Sequence, residues 1–270
     1  MELFELGKKK EGYKCVQYGI FNDIEFDAES FIDIFEKDWG IKLEAEIRSD
    51  DMITYVNFDI DKIQFVCSFM KAIYPDDSPI EAAKRNPFWR DAEECVKNHK
   101  AFMVVGILKN ECLNQIKTCS IFTQVCCSFM GMSDGICMYN AYSGLIIEKN
   151  SYRNYMNIMK AALEHNDYYL PYENWININC VREEDGKIGA FTTGLNIFNK
   201  LEIELVHIEY EVEVMQKIID IILFGLIMDN KTLGNGQLIK LDEDIEIITK
   251  KAKGYYLNDR ETISIFYMNY

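Results

Sequence analysis

An α+β fold with mostly antiparallel sheets is what this sequence predicts, and three observations carry it. Apolar residues alternate with polar ones over many short runs, capped helical stripes interrupt those runs, and the order βαβββαβ occurs twice around one very apolar stretch. The finer expectation is two fused split-βαβ, ferredoxin-like units with a buried linking helix. Residues 1–110 form the first unit, 111–135 the linking helix, and 136–270 the second unit with a terminal strand. No Pro/Gly/Ser-rich linker separates them, so one fused body is expected.

The elements follow in order. Tyr13 to Phe21 alternates, with Val16, Tyr18 and Ile20 on one face. Asp27 caps a helix with the stripe Phe31, Ile32, Phe35 and Trp39, stopped by Gly40. Leu43, Ala45 and Ile47 mark a strand with Glu44, Glu46 and Arg48 outward. Ile53, Tyr55 and Asn57 mark the next, and Ile63, Phe65, Cys67 and Phe69 a third after a corner at Asp59-Ile60-Asp61. Ser78-Pro79-Ile80-Glu81 reads as a capping box with Pro in the first turn. Pro87 breaks that helix, and a short one follows through Ala92, Cys95 and Val96. Lys100 to Lys109 brackets a continuous apolar run suited to a strand covered on both faces.

Residues 111–130 read as the buried helix and 136–142 as a strand. Ser151 caps a helix with the stripe Tyr152, Tyr155, Met156, Met159 and Leu163. Trp175 to Arg182 and Lys187 to Thr193 form a hairpin about Asp185-Gly186, a type I′ turn signal. Leu201 to Tyr210 is a strand whose alternation breaks at Leu205-Val206 as at a bulge. Val212 to Met228 is a helix, Gly234-Asn235-Gly236 a turn, and Thr262 to Met268 the last strand.

Charge narrows the function. The 270 residues hold 29 Lys and Arg against 44 Asp and Glu, a net charge of −15. Such a surface repels phosphate backbones and anionic lipid, so neither nucleic acid nor membrane is an expected partner, and a basic protein is. The longest apolar segment, Ile218 to Met228, is interrupted by Asp220 and is shorter than the roughly 20 residues a membrane span needs. The first residues show no signal-peptide pattern, and nine cysteines follow no paired framework. Reduced thiols in a cytoplasmic protein are the expectation.

The motifs that carry chemistry are sparse. Cys112, Cys119 and Cys126 recur every seven residues on one helical face, which suits packing rather than zinc, and no metal or cofactor is expected. No nucleophile elbow, phosphate loop or dinucleotide fingerprint occurs, and no catalytic residue is assigned. His99 and His165 end helices, where a ring holds the last carbonyls, and His207 sits on a wet strand face. Acidic pairs at Glu183-Glu184 and Asp242 to Asp244 read as solvated turns. Candidate binding residues are Trp175, Asn177 and Asn179, placed on one face of a strand that disfavours Asn, with Trp89, Arg90, Asp91 and His99.

Two stretches carry a resemblance. Ser78 to Leu108 contains Asn86-Pro-Phe-Trp89, Asp91-Ala92 and Val96-Lys-Asn-His99-Lys-Ala101. Leu170 to Leu195 contains Pro171, Trp175, Val181-Arg-Glu-Glu-Asp-Gly186 and Phe191-Thr-Thr-Gly-Leu195, and Asp229 to Gly234 fits too. Together they resemble a bacterial family, the domain of unknown function numbered four-two-six-one, over about the whole chain. The first seventy residues share only the alternation. The resemblance implies a soluble bacterial α+β protein and carries over no site residue; Thr192 and Thr193 complete the candidate binding residues. The expected function is a non-enzymatic intracellular binding module, of immunity or regulatory type, with an acidic face for a basic protein. The alternatives are an enzyme with a cleft near Trp89–Asp91 and His99, or a structural subunit of an assembly. Convergent His and carboxylates in a pocket favour the enzyme, a flat acidic face the binder, a large apolar patch the subunit.

Overall fold

The computed structural model describes residues 15–132, 134–183, 186–208, 212–242 and 245–267. It is a mixed α+β protein built on two sheets. The first uses β1 (Val16–Phe21), β2 (Ala45–Ser49), β3 (Ile53–Ile60), β4 (Ile63–Met70), β5 (Ala101–Asn110), β6 (Gly135–Asn140) and β7 (Leu145–Glu148). Its order is β2-β3-β4-β5-β1-β6-β7, with every neighbour antiparallel. The second uses β8 (Asn177–Arg182), β9 (Ile188–Thr193), β10 (Ile203–Ile208), β11 (Leu238–Asp242), β12 (Ile245–Lys253) and β13 (Glu261–Tyr267). Its order is β11-β12-β13-β10-β9-β8, antiparallel except for β10 beside β13.

These orders correct the expected ferredoxin-like units. In the first sheet β5 enters between β4 and β1, so β5, β4 and β3 separate the two strands joined through the first helix. The reason is burial: β5 is the continuous apolar run, and it takes the middle slot of seven, where both faces are covered. In the second sheet α7 leads from β10 to β11, and β13 and β12 both lie between those two strands, with β13 parallel to β10. β6 pairs with β1 and β7 with β6, so residues 135–148 extend the first sheet.

The helices are α1 (Ala28–Trp39), α2 (Ser78–Lys84), α3 (Ala92–Lys97), α4 (Gln115–Gly131), α5 (Lys149–Arg153), α6 (Met156–Glu164) and α7 (Val212–Ile227). α1 has the expected ends: Asp27 Oδ1 accepts from the Glu29 and Ser30 N–H groups, and Gly40 closes it at φ +67°. α4 is the buried linking helix. Every residue from Thr118 to Met130 is buried, because α1, α5, α6, β1 and β6 pack around it. Phe129 stacks on Phe31 of α1 at 3.9 Å, while Phe122 meets Phe65 of β4 on one side and Trp175 on the other. Cys119, Cys126 and Cys127 are buried there, and burial pushes the Cys127 thiol up to about 12. Cys112 precedes α4 and does not share its face.

Three local expectations shift. The corner expected at 59–61 is a two-residue turn at Asp61-Lys62, whose φ values of 48° and 69° match a type I′ hairpin, and Lys117 pairs with Asp61. In the β8–β9 hairpin the Gly186 N–H donates to Glu183 O, so Gly186 is the fourth residue of the turn, at φ +86°, not a central one; residues 184–185 lie outside the described residues. Ser78 and Ser151 do not cap: Ser78 lies inside α2 after Asp77, and the Glu148 carboxylate accepts from the Ser151 N–H of α5. Of the acidic pairs, residues 184, 243 and 244 also lie outside the described residues, as does the His207 side chain.

Candidate functional site

Several of the candidate residues prove to be spent inside the fold. His99, just past α3, is buried: Tyr74 N–H donates to its Nε2 at 2.7 Å, and its Nδ1 lies 2.6 Å from Val96 O. Those two contacts assign the proton to Nδ1, donated to a carbonyl in the last turn of α3. Trp175 is not on the polar strand face. Residues 172–174 make a 3₁₀ turn, Trp175 has ψ −35°, and β8 starts only at Asn177, so the alternation does not reach back to it. Its ring is buried and its Nε1 donates to Thr123 Oγ1 of α4 at 2.9 Å.

Asn177, Asn179 and Thr193 do share a face, and they join the two sheets. Asn177 Nδ2 donates to Ser143 O and Gly144 O in the β6–β7 turn, and Thr193 Oγ1 donates to Ser143 O at 2.6 Å. Asn179 Nδ2 donates to Thr193 Oγ1. Thr192, the next residue on a strand, points the opposite way into the core, where its hydroxyl donates to Glu202 at 2.8 Å. Arg90 and Asp91 are exposed, whereas Trp89 is half-buried.

What these joints frame is a cleft of about 820 Å³. It opens where β7, an edge of the first sheet, meets β8, an edge of the second. The Asn86–Trp89 segment closes one side, held by Asn86 Nδ2 donating to Ile146 O at 2.8 Å. The other side comes from Tyr155, Tyr172 and Glu173, and from Gln216, Asp220 and Leu223, spaced four and three residues apart on one face of α7. Trp89, Asn177 and Asn179 therefore come together in it, while His99, Arg90, Asp91, Trp175, Thr192 and Thr193 do not line it.

The charged groups on its described walls are Arg85, Glu148, Glu173 and Asp220. Glu148 is engaged with the start of α5, and Arg85 Nε donates to Glu81 O. The other two carboxyls are the open ones. Glu173 is fixed by its neighbours, since Asn174 Nδ2 donates to Tyr152 O and Trp175 fills the core, yet its Oε2 is enclosed without a partner. Burial pushes the Glu173 carboxyl above its ordinary range; the Tyr155 hydroxyl pulls the other way and the Asp220 charge adds to the rise. Asp220 sits at the exposed mouth, and burial raises it too. Burial also raises Tyr155 and Tyr172, which stay protonated at neutral pH, and the Cys180 thiol on the β8 wall.

A shallower hollow of about 430 Å³ lies over β2 and β3, but Glu46 there is tied to Arg48 and its acids stand on an open sheet face. Among the described residues no group of three or more His, Cys, Asp or Glu is placed to hold a metal ion, and no helix is long and apolar enough to cross a membrane.

Sequence reasoning missed Glu173 and Asp220. Asp220 had a signal, as the one acid in the apolar run Ile218 to Met228, and Glu173 directly follows the tyrosine-rich run Tyr168 to Tyr172. The fold and site together define an α+β protein of two sheets with an acidic, aromatic cleft between their edges. Compared with known protein families, curated proteins and solved structures, the chain has no match.

Proposed function

We propose that the protein is a binding module that takes a basic segment of a protein partner into this cleft. The observation that carries the reading is the wall chemistry: the Glu173 carboxyl, whose Oε2 is enclosed without a partner, and the Asp220 carboxyl stand among aromatic side chains, with Arg85 the one cationic residue on the described lining. In this reading the acidic feature is a cleft rather than a flat face. Its tyrosines and Cys180 are protonated at neutral pH, and no His among the described residues lines it, so a nucleophile with an adjacent base is not what these groups offer. An immunity-type or regulatory role in a bacterial cytoplasm fits a net charge of −15. Membership of the family numbered four-two-six-one is proposed with it. Gly194 of the Phe-Thr-Thr-Gly-Leu stretch supports the motif physically: its φ is +117°, and a Cβ there would stand 2.5 Å from Trp175 O.

The test is calorimetric titration of a blocked basic peptide at low and high salt. The expected result is binding that weakens with salt and is lost in a Glu173→Gln/Asp220→Asn double variant whose unfolding midpoint matches the parent. Binding unchanged in that variant would refute the cleft. A second reading has one observation in its favour: two carboxyls raised to different extents of enclosure can act as acid and base on one substrate. Mass-spectrometric detection of turnover that depends on Asp220 would put that enzyme reading first.

A further inference from the structure

We infer that the cleft is built for a single arginine side chain, its guanidinium received between Glu173 and Asp220. This rests on the reading of the cleft as a site for a basic partner and names the group it selects. The acceptor side is Glu173 Oε2, enclosed and unpartnered, with the Asp220 carboxylate, which has no partner among the described residues, close enough for its charge to act on Glu173. A guanidinium carries five donors in a planar fork and so can serve two carboxylates at once, where an ammonium offers a point charge.

The walls favour the same choice. Tyr155 and Tyr172 lie beside the carboxyls, and Trp89 and Phe88 line the same cleft, with Phe88 80% exposed. Arginine is more weakly hydrated than lysine and stacks on aromatic faces, so it loses less on entering a partly enclosed aromatic cleft. The floor is rigid enough to select. Asn174 is tied to Tyr152 O, and Gln17 Nε2 donates to Asn174 O from β1 of the first sheet. Behind that floor, α4 docks through Ser120 on Tyr169 O and Cys127 on Tyr152 O, so Glu173 is carried by a segment held at several points.

The experiment is calorimetry of three blocked tripeptides, Gly-Arg-Gly and its lysine and citrulline counterparts, against the full chain. The arginine peptide is expected to bind about tenfold more tightly than the lysine peptide. The citrulline peptide, with the same shape and no charge, should lose about a hundredfold. Glu173→Gln should remove the arginine preference, while Glu111→Gln, an acid in an exposed pair with Lys109, should keep it. Should Glu173→Gln fold poorly, Asp220→Asn at the exposed mouth supplies the same readout. Equal affinity for arginine and lysine, with both lost in Glu173→Gln, would overturn the guanidinium inference and leave the basic-partner reading standing. Equal binding of citrulline, or no binding of any peptide, would overturn both.

Discussion

Two pairs of acids in this protein were treated in opposite ways by the fold. Glu202 and Glu204 lie on and beside β10 in the second sheet, and both are buried. Glu204 accepts from the N–H groups of Tyr255, Tyr256 and Leu257, at 2.7 to 3.1 Å. Glu202 accepts from the Thr192 hydroxyl and the Gly194 N–H. The second pair, Glu173 and Asp220, is less buried yet has fewer partners. A buried acid supplied with donors by its own chain organises loops, as Glu204 does for residues 255–257. An acid with an enclosed oxygen left unpartnered, as Glu173 Oε2 is, costs stability and keeps an acceptor for what comes from outside. Number of partners, rather than depth, separates the structural pair from the candidate site.

That contrast can be broken by mutation. Glu204→Ala strands three backbone donors, so a loss of about 3 kcal/mol is expected in denaturant unfolding, with peptide binding by the folded protein unchanged. A variant as stable as the parent would show that the cradle is not structural. Next is Gly194→Ala, at the joint that Glu202 organises. The positive φ and the close Trp175 carbonyl predict a loss of about 2 kcal/mol, read as a lowered unfolding midpoint.

His99 belongs with the closed pair, since both ring nitrogens are engaged. His99→Ala should cost about 1–2 kcal/mol through the unpaired Tyr74 N–H and Val96 O. A full loss of binding at unchanged stability would move His99 to the functional side.

The smallest stability effect is expected at the open pair, and its pH dependence carries the information. Glu173 and Asp220 have folded-state pKa values raised above the ordinary 4.5 and 3.8. Below those ordinary values each acid is protonated in both states, and the stabilising difference is fully present. As pH rises, the unfolded chain releases its protons first, so stability falls until each raised folded value is passed and is level above it. Glu202, raised by burial despite its donors, acts in the same direction. The groups facing Glu173 are Tyr155, Tyr169, Tyr172 and Asp220; the tyrosines, all raised, do not titrate in this window. Glu173→Gln should therefore flatten part of the decline above 4.5 and leave neutral-pH stability equal or slightly higher. Unfolding midpoints across that range decide it, and an unchanged slope would mean that Glu173 is not enclosed in solution.

Local chemistry was legible in the sequence wherever one segment carries its own reason. The α1 ends at Asp27 and Gly40, the apolar run that became β5, the buried α4 and the His99 contact to the end of α3 all follow from spacing and side-chain type. The strand faces were readable only as far as the strand ran. Trp175 was placed with Asn177 because alternation was extended two residues too far, across a 3₁₀ turn.

What only the tertiary structure decided is which segments meet. Period-two patterning marks a strand but not its neighbours, so β5 beside β1, and β6–β7 on the first sheet, came from competition for the most covered positions. The cleft was hidden for the same reason. Asn86, Glu148, Glu173 and Asp220 are far apart in the chain, and each alone resembles a solvated polar residue among 44 acids and their neighbours. Charge sign was a property of composition and could be counted. Enclosure of Glu173 and the lack of a partner for its Oε2 arise only when two sheet edges and α7 come together, because desolvation depends on atoms supplied by distant segments.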